Sequence, residues 1–348
     1  MTIHDLDTPA LTIDLDILEK NIRETQEDCN THNIHLRVHT KTHKIPEIAH
    51  MQLQAGAIGI VCQKVGEAEA MVAGGISDIL IPYNIVGPLK VKRLTELCKR
   101  AKMTVAVDSE ITAKGLSDGA KENGVTINML VECDSGGGRC GVQSPEAALE
   151  LAQKIIGLPG LQFEGIMTFP SNERAKPFLD QTRKLFAQAN VPLHTISGGG
   201  TGTAEVSKTI GCTETRIGSY VFEGLTRISH EKNPPNPITC AERMITTIVS
   251  TPTSDRVIID GGQKAFTSYA PTPYGYIMEY PKAKIYAMSV EHGLVNVSEC
   301  DHTFTVGDRL SVIPLHQGMT TNLHDEVYAV RNDQVEHVWK VAGRGKVR

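Results

Sequence analysis

The chain has 348 residues, with 40 acidic against 35 basic side chains and a net charge of −5. That length holds one large domain or two ordinary ones with a full core, and the mild acidity argues against a nucleic-acid partner. No apolar run approaches membrane-spanning length, the start "MTIHDLDTPA" shows no secretory signal, and the eight cysteines have no Cys-x-x-Cys spacing, so a cytoplasmic enzyme with reduced thiols is expected, with no membrane partner.

Taken in chain order, short apolar runs alternate with helix-like ones. Strands are predicted at 35–41, 57–63, 78–83, 103–109, 126–134, 161–169, 193–199 and 215–222, each rich in Val, Ile, Thr or Leu and bounded by Gly, Pro, Asn or Asp. Between them "PEIAHMQLQAG", "KVGEAEAMVAGG", "LKVKRLTELCKRA", "SPEAALELAQKIIG" and "KPFLDQTRKLFAQAN" repeat their apolar residues at three-to-four spacing. Such a beat predicts an α/β protein built on a (β/α)8 barrel, with an open doubly wound sheet as the rival. The beat then stops. "HEKNPPNP" (230–237) reads as a linker, and strand-like runs with no long helix follow it. The run at 10–16 has no barrel partner and is expected to pair with that later sheet. The predicted organisation is a barrel over 20–230 and a second, mainly β domain made of 1–19 plus 236–348.

Two stretches carry chemistry. Lys41 ends the first barrel strand, where side chains face a barrel's active site, and shielding from water there favours the free amine that can bond a carbonyl. "SGGGTGT" (197–203) ends the seventh, a position where barrels bind phosphate through glycine-rich backbone N–H groups. No P-loop and no dinucleotide fingerprint is present. A reactive lysine and a phosphate cradle together point to pyridoxal 5'-phosphate (PLP), whose aldehyde and phosphate need those two features.

"DTPAL", "RVHTKTHK", "CQKVGEAEAMVAGG", "GGGRCGV", "SGGGTGT", "GSYVF", "EHG" and "NLHD", in that order, resemble the D-threonine aldolase and D-serine dehydratase family, which includes 3-hydroxyaspartate aldolases and dehydratases. The resemblance runs from about residue 5 to 346. It implies the alanine-racemase-like fold, PLP on Lys41, Arg139 near the cofactor's ring hydroxyl, a phosphate cup at Gly199, Gly200, Thr201 and Gly202, and Arg216 at the pyridine nitrogen. His39 is read as a satisfied structural histidine, with a place beside the cofactor as the alternative. A homodimer is implied in the same way. The implied activity is that of a lyase on a β-hydroxy D-amino acid, by retro-aldol cleavage or dehydration; a racemase or epimerase on the same scaffold is the alternative.

The departures cluster at the substrate end. The family's second metal ligand, in a His-x-Cys or His-x-Asp pair, is here Gly318, which leaves His316 as a lone metal ligand or as a catalytic acid or base toward the β-hydroxyl. His324, His292 and Glu291 are the candidates to complete a metal site. Met167, Thr168 and Phe169 stand where a tyrosine-containing "QAY" is frequent, and Tyr269 stands near a frequent Asp.

Overall fold

In a computed structural model, residues 1–225, 239–268 and 273–348 are described. The sequence-predicted linker at 230–237 and Tyr269 lie outside them. The chain divides into two compact units. One holds Arg23–Lys41, Pro46–Gly218 and Gly345–Arg348; the other holds Met1–Ile22, Thr42–Ile45 and Ser219–Arg344.

The strand β1 (Ala10–Asp14) and the helix α1 (Leu15–Thr31) precede the barrel strands. The first larger unit is the closed parallel barrel β2 (His35–His39), β3 (Ile60–Val61), β4 (Asp78–Ile81), β5 (Lys102–Val107), β6 (Ile127–Cys133), β7 (Leu161–Thr168), β8 (Thr195–Gly199) and β9 (Glu214–Ile217). β9 closes on β2 in parallel register, Val38 opposite Ile217. The helices between them are α2 (Pro46–Gln54), α3 (Val65–Ala73), α4 (Pro88–Cys98), α5 (Glu110–Asn123), α6 (Pro145–Ile156), α7 (Lys176–Gln188) and α8 (Ala204–Thr209). Ser109 and Ser144 cap α5 and α6 by accepting the N–H groups of Thr112 and Ala147. Val61, Leu80, Ala106, Leu130 and Met167, one from each of five successive strands, form a single buried cluster. Their β-branched and small neighbours fit strands covered on both faces.

The second unit is a nine-stranded sheet. It contains β1, then β10 (Glu242–Thr253), β11 (Arg256–Ile259), β12 (Gly275–Ile277), β13 (Lys284–Met288), β14 (Gly293–Asn296), β15 (Arg309–Pro314), β16 (Glu326–Arg331) and β17 (Gln334–Lys340). The order is β11-β14-β13-β12-β15-β10-β1-β16-β17. The orphan run at 10–16 does join this sheet: β1 pairs antiparallel with β10 and parallel with β16.

Three local differences from the sequence reading have physical causes. The run 215–222 is not one strand; β9 ends at Ile217, and a 3-10 turn over Ser219–Val221 follows Gly218. The predicted strand 57–63 shortens to Ile60–Val61, although backbone bonds at Ile58 (to Leu36), Gly59 (from Val38) and Cys62 (to Leu80) continue the contact with the neighbouring strands; a side chain at Gly59 would collide with the Arg37 guanidinium and the Asp78 carboxylate. A short helix, Gln317–Thr321, interrupts the β region just after β15, with His316 as its cap.

Candidate active site

Lys41 lies in the turn after β2, two residues beyond its last residue, His39. His39 shapes that turn: its Nδ1 accepts the Lys41 N–H at 3.4 Å, and its Nε2 faces Gln63 Oε1 at 3.2 Å. Both ring nitrogens are thereby used in holding the turn. The Lys41 side chain reaches solvent, yet enough protein surrounds the amine for desolvation to lower its pKa. The Arg139 charge pushes the same way, Glu67 opposes it, and Arg216 adds a smaller push. Lys44, three residues on, donates to Asn322 Oδ1 at 2.7 Å and belongs to the other unit.

Arg139 stands on the loop after β6. Asp134 builds that loop by accepting the N–H groups of Gly136, Gly137 and Gly138. Asp108 fixes the far end through the Gly141 N–H at 3.1 Å. The guanidinium lies over the Phe169 ring at 4.9 Å and reaches Glu132 Oε1 at 3.4 Å. Burial pushes the Glu132 carboxyl up, with Arg139 opposing. Phe169, a departure in the sequence, is therefore a platform for Arg139. Thr168, its neighbour, pairs its hydroxyl with Ser135 and gives its carbonyl to Arg216 Nη2 at 2.8 Å.

Arg216, on β9, is buried, and burial draws its pKa down to about 10 against the pull of Glu214. Its Nη1 donates to Ser197 Oγ at 2.6 Å. Neither Ser197, Glu214, Arg37 nor Glu132 was singled out in the sequence. For Arg37 and Glu132 the available signal was a charge within a short, largely apolar parallel strand, where few charged groups stand unpaired; Ser197 and Glu214 gave no such signal.

The glycine loop is more selective than its sequence implies. The Gly199 N–H already donates to Ser171 Oγ at 2.6 Å and the Gly200 N–H to the Arg216 carbonyl at 3.0 Å. Gly200 and Gly202 sit at φ of 135° and 74°, and a Cβ on Gly199 would stand 2.9 Å from the Arg216 carbonyl oxygen. Gly199 and Gly200 thus keep the backbone open to close approach, with their own N–H groups engaged by Ser171 and Arg216.

In the second unit, His316 Nδ1 accepts the Met319 N–H at 3.3 Å. A neutral ring in that role carries its proton on Nε2, which is then a donor and has no lone pair for a metal. His324 Nε2 lies 2.9 Å from the Ala265 carbonyl, Glu291 pairs with Lys264 at 2.5 Å, and His292 Nδ1 lies 3.3 Å from Ser289 Oγ. Among the described residues, no three His, Cys, Asp or Glu side chains are grouped to hold a metal ion. The donor set does not fit a divalent ion at His316. The PLP donor set does fit the first unit: an amine of lowered pKa, a cation beside it, and a strained glycine turn.

A family model described as alanine racemase, N-terminal domain, matches residues 13–225. The chain belongs to that family. A model described as a putative serine dehydratase domain matches residues 241–330 of this family member. D-threonine aldolase of an Arthrobacter species is 37% identical over 98% of the chain and 93% of its own length. 3-hydroxy-D-aspartate aldolase of Paracoccus denitrificans (strain Pd 1222) is 33% identical with the same coverage. The crystal structure of D-threonine aldolase from Filomicrobium marinum superposes with a TM-score of 0.92, at 30% identity, covering 100% of this chain and 98% of that one. These relatives are lyases, which places this member of the alanine racemase family on the lyase side. No helix among the described residues is long and apolar enough to cross a membrane.

Proposed function

We propose that the protein is a PLP-dependent lyase that cleaves a β-hydroxy D-amino acid between Cα and Cβ. The observation that carries this reading is Lys41: a lysine amine of lowered pKa at the end of a barrel strand, under the influence of Arg139 and Arg216. A lowered pKa raises the share of free amine, the form that bonds a carbonyl. The chain's full-length similarity to the two aldolases supports the substrate class.

The residues take these roles. Lys41 would hold the cofactor through its amine, and the same amine is placed to carry a proton to or from Cα. Arg139, held over Phe169, would meet the cofactor's ring oxygen. The Thr201–Gly202 backbone, with Gly199 and Gly200 clearing the approach, holds the phosphate. Arg216 donates toward the ring nitrogen. When bound, PLP supplies an electron sink for the charge left on Cα. His316 is assigned the acid–base role toward the β-hydroxyl: with its cap in place its Nε2 would carry the ring proton, and service as a base at Nε2 would require the ring to release the Met319 N–H. We place the enzyme in the cytoplasm and as a homodimer.

The test is a product panel on the PLP-loaded protein with D-threonine and 3-hydroxy-D-aspartate. Aldehyde release with formation of glycine is expected. Ammonia release alone would make it a dehydratase, and loss of optical activity without cleavage would overturn the lyase reading.

A further inference from the structure

Behind Arg216 stands a run of buried polar side chains with no part in the roles above. Ser197 Oγ accepts from Arg216 Nη1 at 2.6 Å and donates to Glu214 Oε1 at 2.6 Å. The other carboxylate oxygen, Oε2, accepts from Arg37 Nε at 3.0 Å, and Arg37 Nη1 donates to Asp78 Oδ1 at 2.6 Å. Ser197, Glu214, Arg37 and Arg216 are buried; Asp78 is partly exposed.

A serine hydroxyl has one proton and two lone pairs. Here the proton goes to the Glu214 carboxylate, so a lone pair faces Arg216. That polarity demands a donor at Arg216, which the charged guanidinium provides. The Thr168 carbonyl accepts from Nη2 at 2.8 Å on the other side. Two acceptors at two nitrogens fix the plane of the fork, and with it the direction of the remaining N–H groups. The same carboxylate supplies the counter-charge that a buried cation needs, one hydroxyl away.

We propose that Ser197 and Glu214 are positioning residues for the reaction: the hydroxyl fixes the orientation of Arg216 toward the place the cofactor's ring nitrogen would take, and the carboxylate supplies the counter-charge of the buried guanidinium. This rests on the PLP reading above. A guanidinium that always donates leaves a ring nitrogen opposite it unprotonated, and that state limits how strongly the ring draws electrons from Cα. The relay thus governs a chemical property of the site through residues that touch neither substrate nor cofactor. The groups that act electrostatically on Arg216 are Glu214 and Cys212 beside it, Glu132 on β6 and Arg139 on the loop after it.

The experiment uses the full chain with three substitutions: Ser197→Ala, which removes the relay hydroxyl; Ser197→Thr, which keeps it; and Glu214→Gln, which keeps an acceptor but removes the charge. Each is loaded with PLP, and its visible spectrum, PLP affinity, kcat and KM are compared with wild type. Ser197→Ala and Glu214→Gln are expected to shift the visible spectrum. They lower kcat about tenfold or more with KM changed less than about threefold, the signature of a group felt in the reaction and not in substrate binding. Ser197→Thr retains the wild-type spectrum. If Ser197→Ala does not fold, Glu214→Gln against Ser197→Thr decides the matter by the same spectral comparison. Folded Ser197→Ala and Glu214→Gln proteins that lose thermal stability but keep the wild-type spectrum and kcat would show a merely structural network and overturn the proposal. A wild-type chain that takes up no PLP would instead overturn the functional reading beneath it.

Discussion

Glu242, the first residue of β10, is fully buried, and burial pushes its carboxyl up to about 8. Its Oε2 lies 2.6 Å from Thr321 Oγ1, which also donates to the Gln317 carbonyl at 2.9 Å; Oε1 has no partner. One hydroxyl proton cannot serve both acceptors well. Protonated Glu242 can donate to the Thr321 hydroxyl, which leaves the Thr321 proton for the Gln317 carbonyl. A carboxyl raised by folding gives stability that is full below its ordinary value of 4.5 and is lost as pH rises through about 8. Replacing Glu242 with Gln, neutral at every pH, should flatten the fall in Tm between about pH 5 and about pH 8. Equal slopes in wild type and Glu242→Gln would remove Glu242 from the pH dependence. At this scale the sequence was most legible where a residue's chemistry is unusual for its place. Lys41 and Arg139 stood out in short motifs, whereas Ser197 and Glu214 look like ordinary strand residues until their partners are known.

Elements carry two further predictions. The glycine turn after β8 needs φ of 135° at Gly200, where a Cβ would also meet Thr203 Cγ2 at 3.2 Å. A β-branched residue there is strained by about 1–3 kcal/mol and crowds the approach to an anion. Gly200→Val should therefore weaken PLP binding about tenfold or more while far-ultraviolet circular dichroism stays at wild type; unchanged affinity would remove this turn from the cofactor site. The short helix Gln317–Thr321 starts from the His316 cap and contains Gly318, which has no donor to offer. Activity is expected to survive chelation, with less than about one tenth of a metal equivalent per chain by elemental analysis. One equivalent, with activity lost on chelation and restored by a divalent ion, would contradict that. The element reading also shows where sequence periodicity fails. The helix α5 was not legible because Gly115, Ser117 and Gly119 break its apolar spacing. Two of them have packing reasons: a Cβ on Gly119 would lie 2.2 Å from Val91 Cγ1 of α4, and Ser117 Oγ donates to the Pro159 carbonyl at 2.7 Å. Likewise β12 is three residues long and starts at Gly275, whose Cβ would stand 2.6 Å from Val312.

Across the whole molecule, the regular strand–helix beat gave the barrel, because a closed parallel sheet needs both faces of every strand covered and so writes the same pattern eight times. The second unit was legible as β but not in its order, since pairing between strands as distant in sequence as β1 and β16 leaves no local signal. The link between fold and chemistry is the lysine at the end of the first barrel strand. The most direct measurement is to load the full chain with PLP, reduce it with borohydride, digest it and map the modified peptide by mass spectrometry. The modification is expected on Lys41, and Lys41→Ala should take none. A PLP-loaded chain modified on Lys44 or Lys64, or one that binds PLP with no lysine modified at all, would contradict the assignment of Lys41.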